Sequence, residues 1–254
     1  ANYNGAETLT VTTNDGGKTG SGGALTDVDT KAITVTAVND APVNTVPTAT
    51  LTVAEDTNLA ITGLGIADVD AGTESVTVTL GVTQGTLTVA QASGVTLAGS
   101  GTAAVSLTGS VAAINSALSA SNGVVYRGNV NYNGAETLTV TTNDGGKTGS
   151  GGALTDVDTK AITVTAVNDA PKFTSAPSLF SPREFVVGAS AQPTRAALAK
   201  LSTFASDDDA GSTLTYSLVN EGDAAYFTID AVTGDISFKS EYEISWEDPL
   251  DAND

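Results

Sequence analysis

The chain has 254 residues, with 29 acidic against 10 basic side chains, a formal net charge of −19, and no Cys, His or Met. That inventory excludes a Ser-His-Asp triad, a thiolate nucleophile, an imidazole base and a Cys/His zinc site, and leaves oxygen as nearly the sole ligand type. The negative balance repels phosphate backbones and anionic headgroups, so nucleic acid and membrane surfaces are not expected partners, whereas hard cations are.

In chain order, the first feature is the string NYNGAETLTVTTNDGGKTGSGGALTDVDTKAITVTAVNDAP at 2–42, which recurs unchanged at 131–171. An offset of 129 residues exceeds the unit of a helical solenoid and implies whole domains in tandem. Residues 44–172 then form one complete repeat, and residues 1–43 the C-terminal part of a repeat ahead of it. Residues 173–254, with 14 acids against 4 bases, form a distinct module that reads as truncated. A start at Ala1 inside the repeated motif suggests an excerpt of a longer polypeptide. Absence of Cys fits a protein exported without disulfide formation.

Within the repeat, Thr- and Val-rich runs at 48–54, 59–63, 75–80, 85–89, 136–142 and 161–167 are separated by Gly, Asn and Asp, the pattern of strands and turns. The alternation TLTV at 137–140 and ITV at 162–164 puts Leu138, Val140, Ile162 and Val164 on one inward face. One helix is expected over 109–120, crossing the sandwich edge, with Ser110 as N-cap and Val111, Ile114 and Leu118 at helical spacing. The predicted fold is all-β, a series of Ig-like two-sheet sandwiches with one short helix in the complete repeat. No apolar run approaches the roughly 18 residues of a membrane-spanning helix, and no signal sequence opens the chain, so direct membrane insertion is not expected.

The junction wording is AVNDAPV at 37–43 and AVNDAPK at 166–172, each after a strand and each with a Pro that cannot extend the ladder. The third module adds DDDAGSTLTYSL at 207–218 and YFTIDAVTGDISF at 226–238. Together these resemble the linkers and domains of the cadherins, and of the cadherin-like tandem repeats in giant bacterial type I-secreted (RTX-type) adhesins. The resemblance covers essentially the whole chain. It implies Ca2+ at each junction. For the first, the matching residues are Asn39 and Asp40 of the linker and Asp68 and Asp70 of the following domain, with Asp144 contributing. For the second they are Asn168, Asp169, Asp207 and Asp209, with Glu55 as the strand-A acid of the preceding domain. Two departures stand out: the family usually carries an acid two residues before the Asn, and here Ala37 and Ala166 occupy those places. The DVD runs Asp27/Asp29 and Asp156/Asp158 are candidates to compensate. It also implies further strands after 242–254, where this sequence ends.

Carboxylates about 4 Å apart repel by roughly 1–4 kcal/mol between the dielectric of water and that of a protein surface. A cation turns that repulsion into attraction, making a hinge into a stiff joint. Isolated residues such as Asp15, Asp27, Asp29 and Asp56 are equally accounted for as turn formers.

The segment GGKTGSGG at 16–23 and 145–152 lacks the first Gly of a phosphate loop, whose place is taken by Thr12 and Thr141, and reads as a hairpin loop. Acids clustered at turns with few aromatics offer no glycosidase cleft, so no enzymatic role is expected. Tyr242 and Trp246 read as packing residues. The expected function is that of an extracellular, cell-surface extender in a bacterial adhesin, rigidified by calcium between neighbouring repeats of the same polypeptide. The alternatives are an adhesive module that takes a glycan or protein of a host or cell surface, and a subunit of a surface filament.

Overall fold

Short β-branched runs broken by Gly, Asn and Asp give the computed structural model many short strands, and it describes residues 3–174 and 199–239. The predicted packing of Tyr242 and Trp246 lies outside the described residues. The chain divides into two units, Ala1–Ala166 and Val167–Asp254.

The first unit begins with an antiparallel hairpin, β1 (Gly5–Asn14) and β2 (Thr26–Val35). The repeat proper follows with β3 (Val43–Thr45), β4 (Leu51–Ala54), β5 (Asn58–Ala60), β6 (Gly65–Ala67), β7 (Ser75–Gly81), β8 (Gly85–Val89), β9 (Val95–Ala98) and β10 (Ala104–Ser110). It ends with α1 (Val111–Ser119), β11 (Val124–Gly128), β12 (Gly134–Asn143) and β13 (Thr155–Thr165). A six-stranded sheet, in the order β4-β13-β12-β7-β10-β9, faces a three-stranded sheet, β5-β11-β8, while β3 and β6 form a small ribbon. Among the described strands only β4 and β13 pair in parallel.

The predicted face is inward: Leu138, Val140, Ile162 and Val164 join Val78, Leu80, Val105 and Leu107 from the large sheet. Leu87, Val124 and Tyr126 meet them from the small one. The sandwich is the plain outcome of period-2 alternation on both sheets.

A polar contact ties the sheets together. Glu136 is buried on β12, where its carboxylate accepts from Thr83 N (3.0 Å), Thr83 Oγ1 (3.1 Å), Thr137 N (2.5 Å) and Gln84 N. The turn between β7 and β8 is thereby fastened to β12. Tyr126 completes the clasp by donating its hydroxyl to Gln84 O at 2.7 Å. Burial, with the charge of Glu136, pushes that phenol up to about 12.

The helix forms where expected, its N-cap Ser110 accepting from Ala113 N at 3.3 Å and its Ile114, Ala117 and Leu118 buried. At its end, a Cβ on Gly123 would stand 2.3 Å from Ala117 O, so the chain turns there only with glycine. Asn115 reaches across to Ile66, donating to its carbonyl at 2.8 Å and accepting from its amide at 2.9 Å. The helix thus holds β6, the strand that leads into Asp68. Ser110→Ala is expected to cost about 1 kcal/mol of stability in a urea titration.

The repeated string adopts the same hairpin twice, with β1–β2 in the register of β12–β13 from Gly5↔Val35 and Gly134↔Val164 to the turn. The surroundings differ. Leu138, Val140, Ile162 and Val164 are 0–3 % exposed, whereas their counterparts Leu9, Val11, Ile33 and Val35 are 38–52 % exposed.

In the second unit β14 (Lys172–Phe173) pairs with β16 (Ala205–Ser206). A second sheet has the order β15 (Ala199–Lys200), β18 (Asp235–Phe238), β17 (Phe227–Ile229). The β17–β18 turn is set by Asp230, whose Oδ1 accepts from Val232 N and Thr233 N at 2.8 Å each, so these amides hold its carboxyl below the usual range. Between them, 212–219 forms no strand ladder, although Tyr216 N donates to Ala231 O at 3.0 Å.

Candidate metal centre

Directly after β6 the chain turns through Asp68-Val69-Asp70-Ala71. Asp68 Oδ1 accepts from Asp70 N (3.1 Å) and Ala71 N (3.0 Å), an Asx turn that brings the two carboxylates together. Asp70 Oδ2 in turn accepts from Asp40 N at 3.0 Å, which fixes the linker against the turn. The remaining oxygens, Asp68 Oδ2 and Asp70 Oδ1, are buried and without a hydrogen-bond partner. Buried polar atoms are nearly always paired, so two orphaned anionic oxygens in one turn stand out. Burial and the adjoining Asp70 push the Asp68 carboxyl up, while the contact with Asp68 holds Asp70 down.

The linker residue Asn39 is buried beside this pair. Its amide nitrogen donates to Asp144 Oδ2 (2.6 Å) and Gly152 O (3.0 Å), and its Oδ1 accepts from Thr148 Oγ1 (3.2 Å). Asp144 Oδ1 accepts from Gly146 N and Leu154 N, both at 2.8 Å. Burial opposes ionisation of Asp144, but these bonds outweigh it together with the nearby Asp70 charge and hold its carboxyl down. The structure therefore brings Asn39, Asp40, Asp68, Asp70 and Asp144 to one end of the repeat.

The loop read only as a hairpin connection proves to be the receptor for the linker. Ser150 N donates to Ala37 O (3.0 Å), Asn39 N donates to Ser150 O (2.9 Å), and Val38 forms a parallel bridge with Ser150. Gly149, at φ +72°, passes so close that a Cβ there would lie 2.7 Å from Asn39 N. The signal was the recurrence of GGKTGSGG in each repeat; its glycines act by leaving room.

The other predicted residues have definite places. Asp156 of the DVD run accepts from Asn44 N at 2.7 Å, and Asn44 also accepts from the Thr142 hydroxyl (2.5 Å), so this run fastens β3 to the β12–β13 hairpin. Asp56, at φ +56°, accepts from Asn131 N at 3.3 Å, and Asp15 from Gly17 N and Leu25 N at 2.9 Å, both turn roles. Glu55 is buried at the far end of β13, its N–H donating to Thr165 O at 2.9 Å and its Oε2 accepting from Asn133 at 3.3 Å.

In the second unit the same Asp-x-Asp geometry returns. Asp207 Oδ1 accepts from Asp209 N (2.9 Å) and Ser212 Oγ (2.8 Å), and Asp209 Oδ2 accepts from Asp169 N (2.7 Å). A carboxylate oxygen of Asp169 lies within 4.8 Å of one of Asp209. Asn168 donates to the carbonyl of Asp169 at 3.2 Å. Lys172 pairs with Asp208 at 2.5 Å, an exposed ion pair on the rim, where Val43 and Val69 stand in the first unit.

No protein-family model matches the chain, and no curated protein matches it. Among solved structures, a protocadherin gammaB7 EC3-6 cis-dimer structure aligns with 96% of this chain and 52% of its own at 21% identity and TM-score 0.34. Mouse cadherin-23 EC22-24 aligns with 91% of this chain and 63% of its own at 19% identity and TM-score 0.39. The protocadherin gammaB4 extracellular domain aligns with 92% and 34% at 21% identity and TM-score 0.32. The chain thus spans less than two thirds of each of these proteins. Among the described residues no helix is long and apolar enough to cross a membrane.

Proposed function

We propose that the chain is an extender segment of a bacterial cell-surface adhesin, extracellular and without enzymatic activity, whose repeats are stiffened by calcium where a linker meets the next domain. The observation that carries this reading is the pair of buried, unpartnered oxygens, Asp68 Oδ2 and Asp70 Oδ1, beside the linker residue Asp40. An oxygen-only donor set with several carboxylates fits calcium, which takes six to eight oxygens in adaptable geometry, and does not fit zinc. Asp68, Asp70 and Asp40 would hold the ion, with Asn39 and Asp144 adjoining; in the second unit Asp169, Asp207 and Asp209 would do so, with Asn168 adjoining. Bound calcium supplies positive charge that lets the carboxylates stay ionised side by side.

The linker itself supports the mechanical role. It is already fastened by the Ala37, Asn39 and Asp40 backbone bonds, so an ion at Asp68 and Asp70 acts on a chain with little freedom left. The partners in this reading are calcium and the neighbouring repeats of the same polypeptide. The test is small-angle scattering and thermal melting of the 254-residue chain in calcium and then in chelator. A larger maximum dimension and a higher melting temperature with the ion are expected. Identical curves in the two conditions would overturn the reading.

A further inference from the structure

The chain enters the sandwich and leaves it along one line. Asn44 N donates to Asp156 Oδ2 at 2.7 Å, Lys160 Nζ donates to Thr48 O at 3.4 Å, and β4 then pairs with β13 from Leu51↔Ile162 to Ala54↔Thr165. At the last pair Glu55 N donates to Thr165 O at 2.9 Å, and the Thr165 hydroxyl donates to Val53 O at 3.3 Å. The offset between partners barely changes on the way, so the entering segment 44–55 lies beside the leaving segment 156–165 and points the same way.

The parallel direction decides how this pairing meets tension. Were the two segments antiparallel, entry and exit would stand at one end, and a pull on the chain would open the bonds one at a time. Here entry is at the Asn44 end and exit at the Thr165 end, so a pull slides one segment past the other and loads all the fastenings together. Strand β4 is at the edge of the six-stranded sheet and has β13 as its sheet partner, while β13 is backed by β12 along Gly134–Asn143. Sliding also drags Leu51 and Val53 past Ile162 and Val164, all four of them buried. None of these fastenings uses Asp68 or Asp70, so they act apart from the proposed calcium site.

We propose that the 44–55 and 156–165 segments form a shear lock, whose function is to carry tension through the repeat without unfolding and without an ion. The lock deepens the extender reading and rests on it for the direction of the load. Its property is slow unfolding under force rather than high equilibrium stability.

The chain has no cysteine, so attachment points can be chosen freely. A Val43→Cys/Ala166→Cys chain is pulled in shear. A Val43→Cys/Leu154→Cys chain is pulled open from the Asn44 end, because Leu154 directly precedes β13. All three sites are exposed, so both double variants keep the core. Each 254-residue chain is held at constant force in an optical trap, in chelator. Unfolding of the repeat is recognised by a gain of about 400 Å between the handles. The shear pair is expected to need a force several times higher for the same lifetime. Thr165→Val keeps the side-chain shape and removes one fastening at the far end. It is expected to shorten the shear lifetime roughly three- to tenfold. The other lifetime should not move, since opening from Asn44 reaches Thr165 last. Equal forces in the two directions, or a Thr165→Val change that shortens both lifetimes alike, would overturn the proposal. Because both pulls are made without calcium, their failure leaves the scattering test of the calcium joint standing, and failure of that test leaves the lock standing.

Discussion

Glu136→Ala is expected to lower the unfolding free energy of the repeat by about 3 kcal/mol or more, while Glu7→Ala, the same change in the same local sequence, moves it by less than about 0.5 kcal/mol. The asymmetry follows from what each carboxylate meets. Glu136 is buried and satisfies Thr83 N, Thr83 Oγ1 and Gln84 N at the β7–β8 turn. Truncation takes the buried acceptor away from these donors; Thr83 and Gln84 are themselves exposed, so water takes over part of the bonding and each bond costs about 1 kcal/mol. Glu7 is exposed on the β1–β2 hairpin, where its carboxylate raises the nearby Tyr3 hydroxyl. Urea titrations of the two variants, followed by circular dichroism, check the difference. Equal effects would overturn the assignment of this stability to the contact of Glu136 with the Thr83–Gln84 turn.

The identical strings also show how far local sequence determines environment. The Asp15 turn and the inward face of Leu138, Val140, Ile162 and Val164 were legible, because period-2 alternation and Asx turns are local properties. So was the helix, marked by Ser110 and the spacing of Ile114 and Leu118. The ribbon of β3 and β6 was not, since three-residue strands carry no period and depend on the distant side chains of Asn44, Asp156 and Asn115. Strands β9, β10 and β11 escaped for a related reason: β9 and β11 are too short to show a period and β10 carries Ser and Gly, and pairing gives them order, β10 with β7 and β9, and β11 with β5 and β8. In the candidate site, the acids announced themselves by chemistry. Their receptor did not, because Gly149 and Gly152 work through a close backbone approach and a carbonyl, neither of which has a side-chain signature.

The other large effect changes sign with the solution. Asp68→Asn keeps a side-chain oxygen for Asp70 N and Ala71 N, so the turn persists, and it removes one of two adjoining negative charges. In chelator the variant should melt at or above the parent temperature. With calcium about a hundredfold above its dissociation constant, the parent should gain about 2.7 kcal/mol and the variant little of it. The pH dependence follows the same logic. Burial and Asp70 raise the folded-state affinity of Asp68 for its proton, so its ionisation is easier in the unfolded chain. Without calcium, stability therefore falls as pH rises from the ordinary carboxylate range through the raised value, while Asp70, held low by its contact with Asp68, acts below that window. Calcium competes with the proton on Asp68, so its affinity weakens on acidification and the slope inverts when the ion is present. Differential melting of parent and Asp68→Asn across pH 4 to 7, with and without calcium, measures both slopes. Parent and variant curves that gain equally from calcium would leave Asp68 a turn residue and move the ion elsewhere.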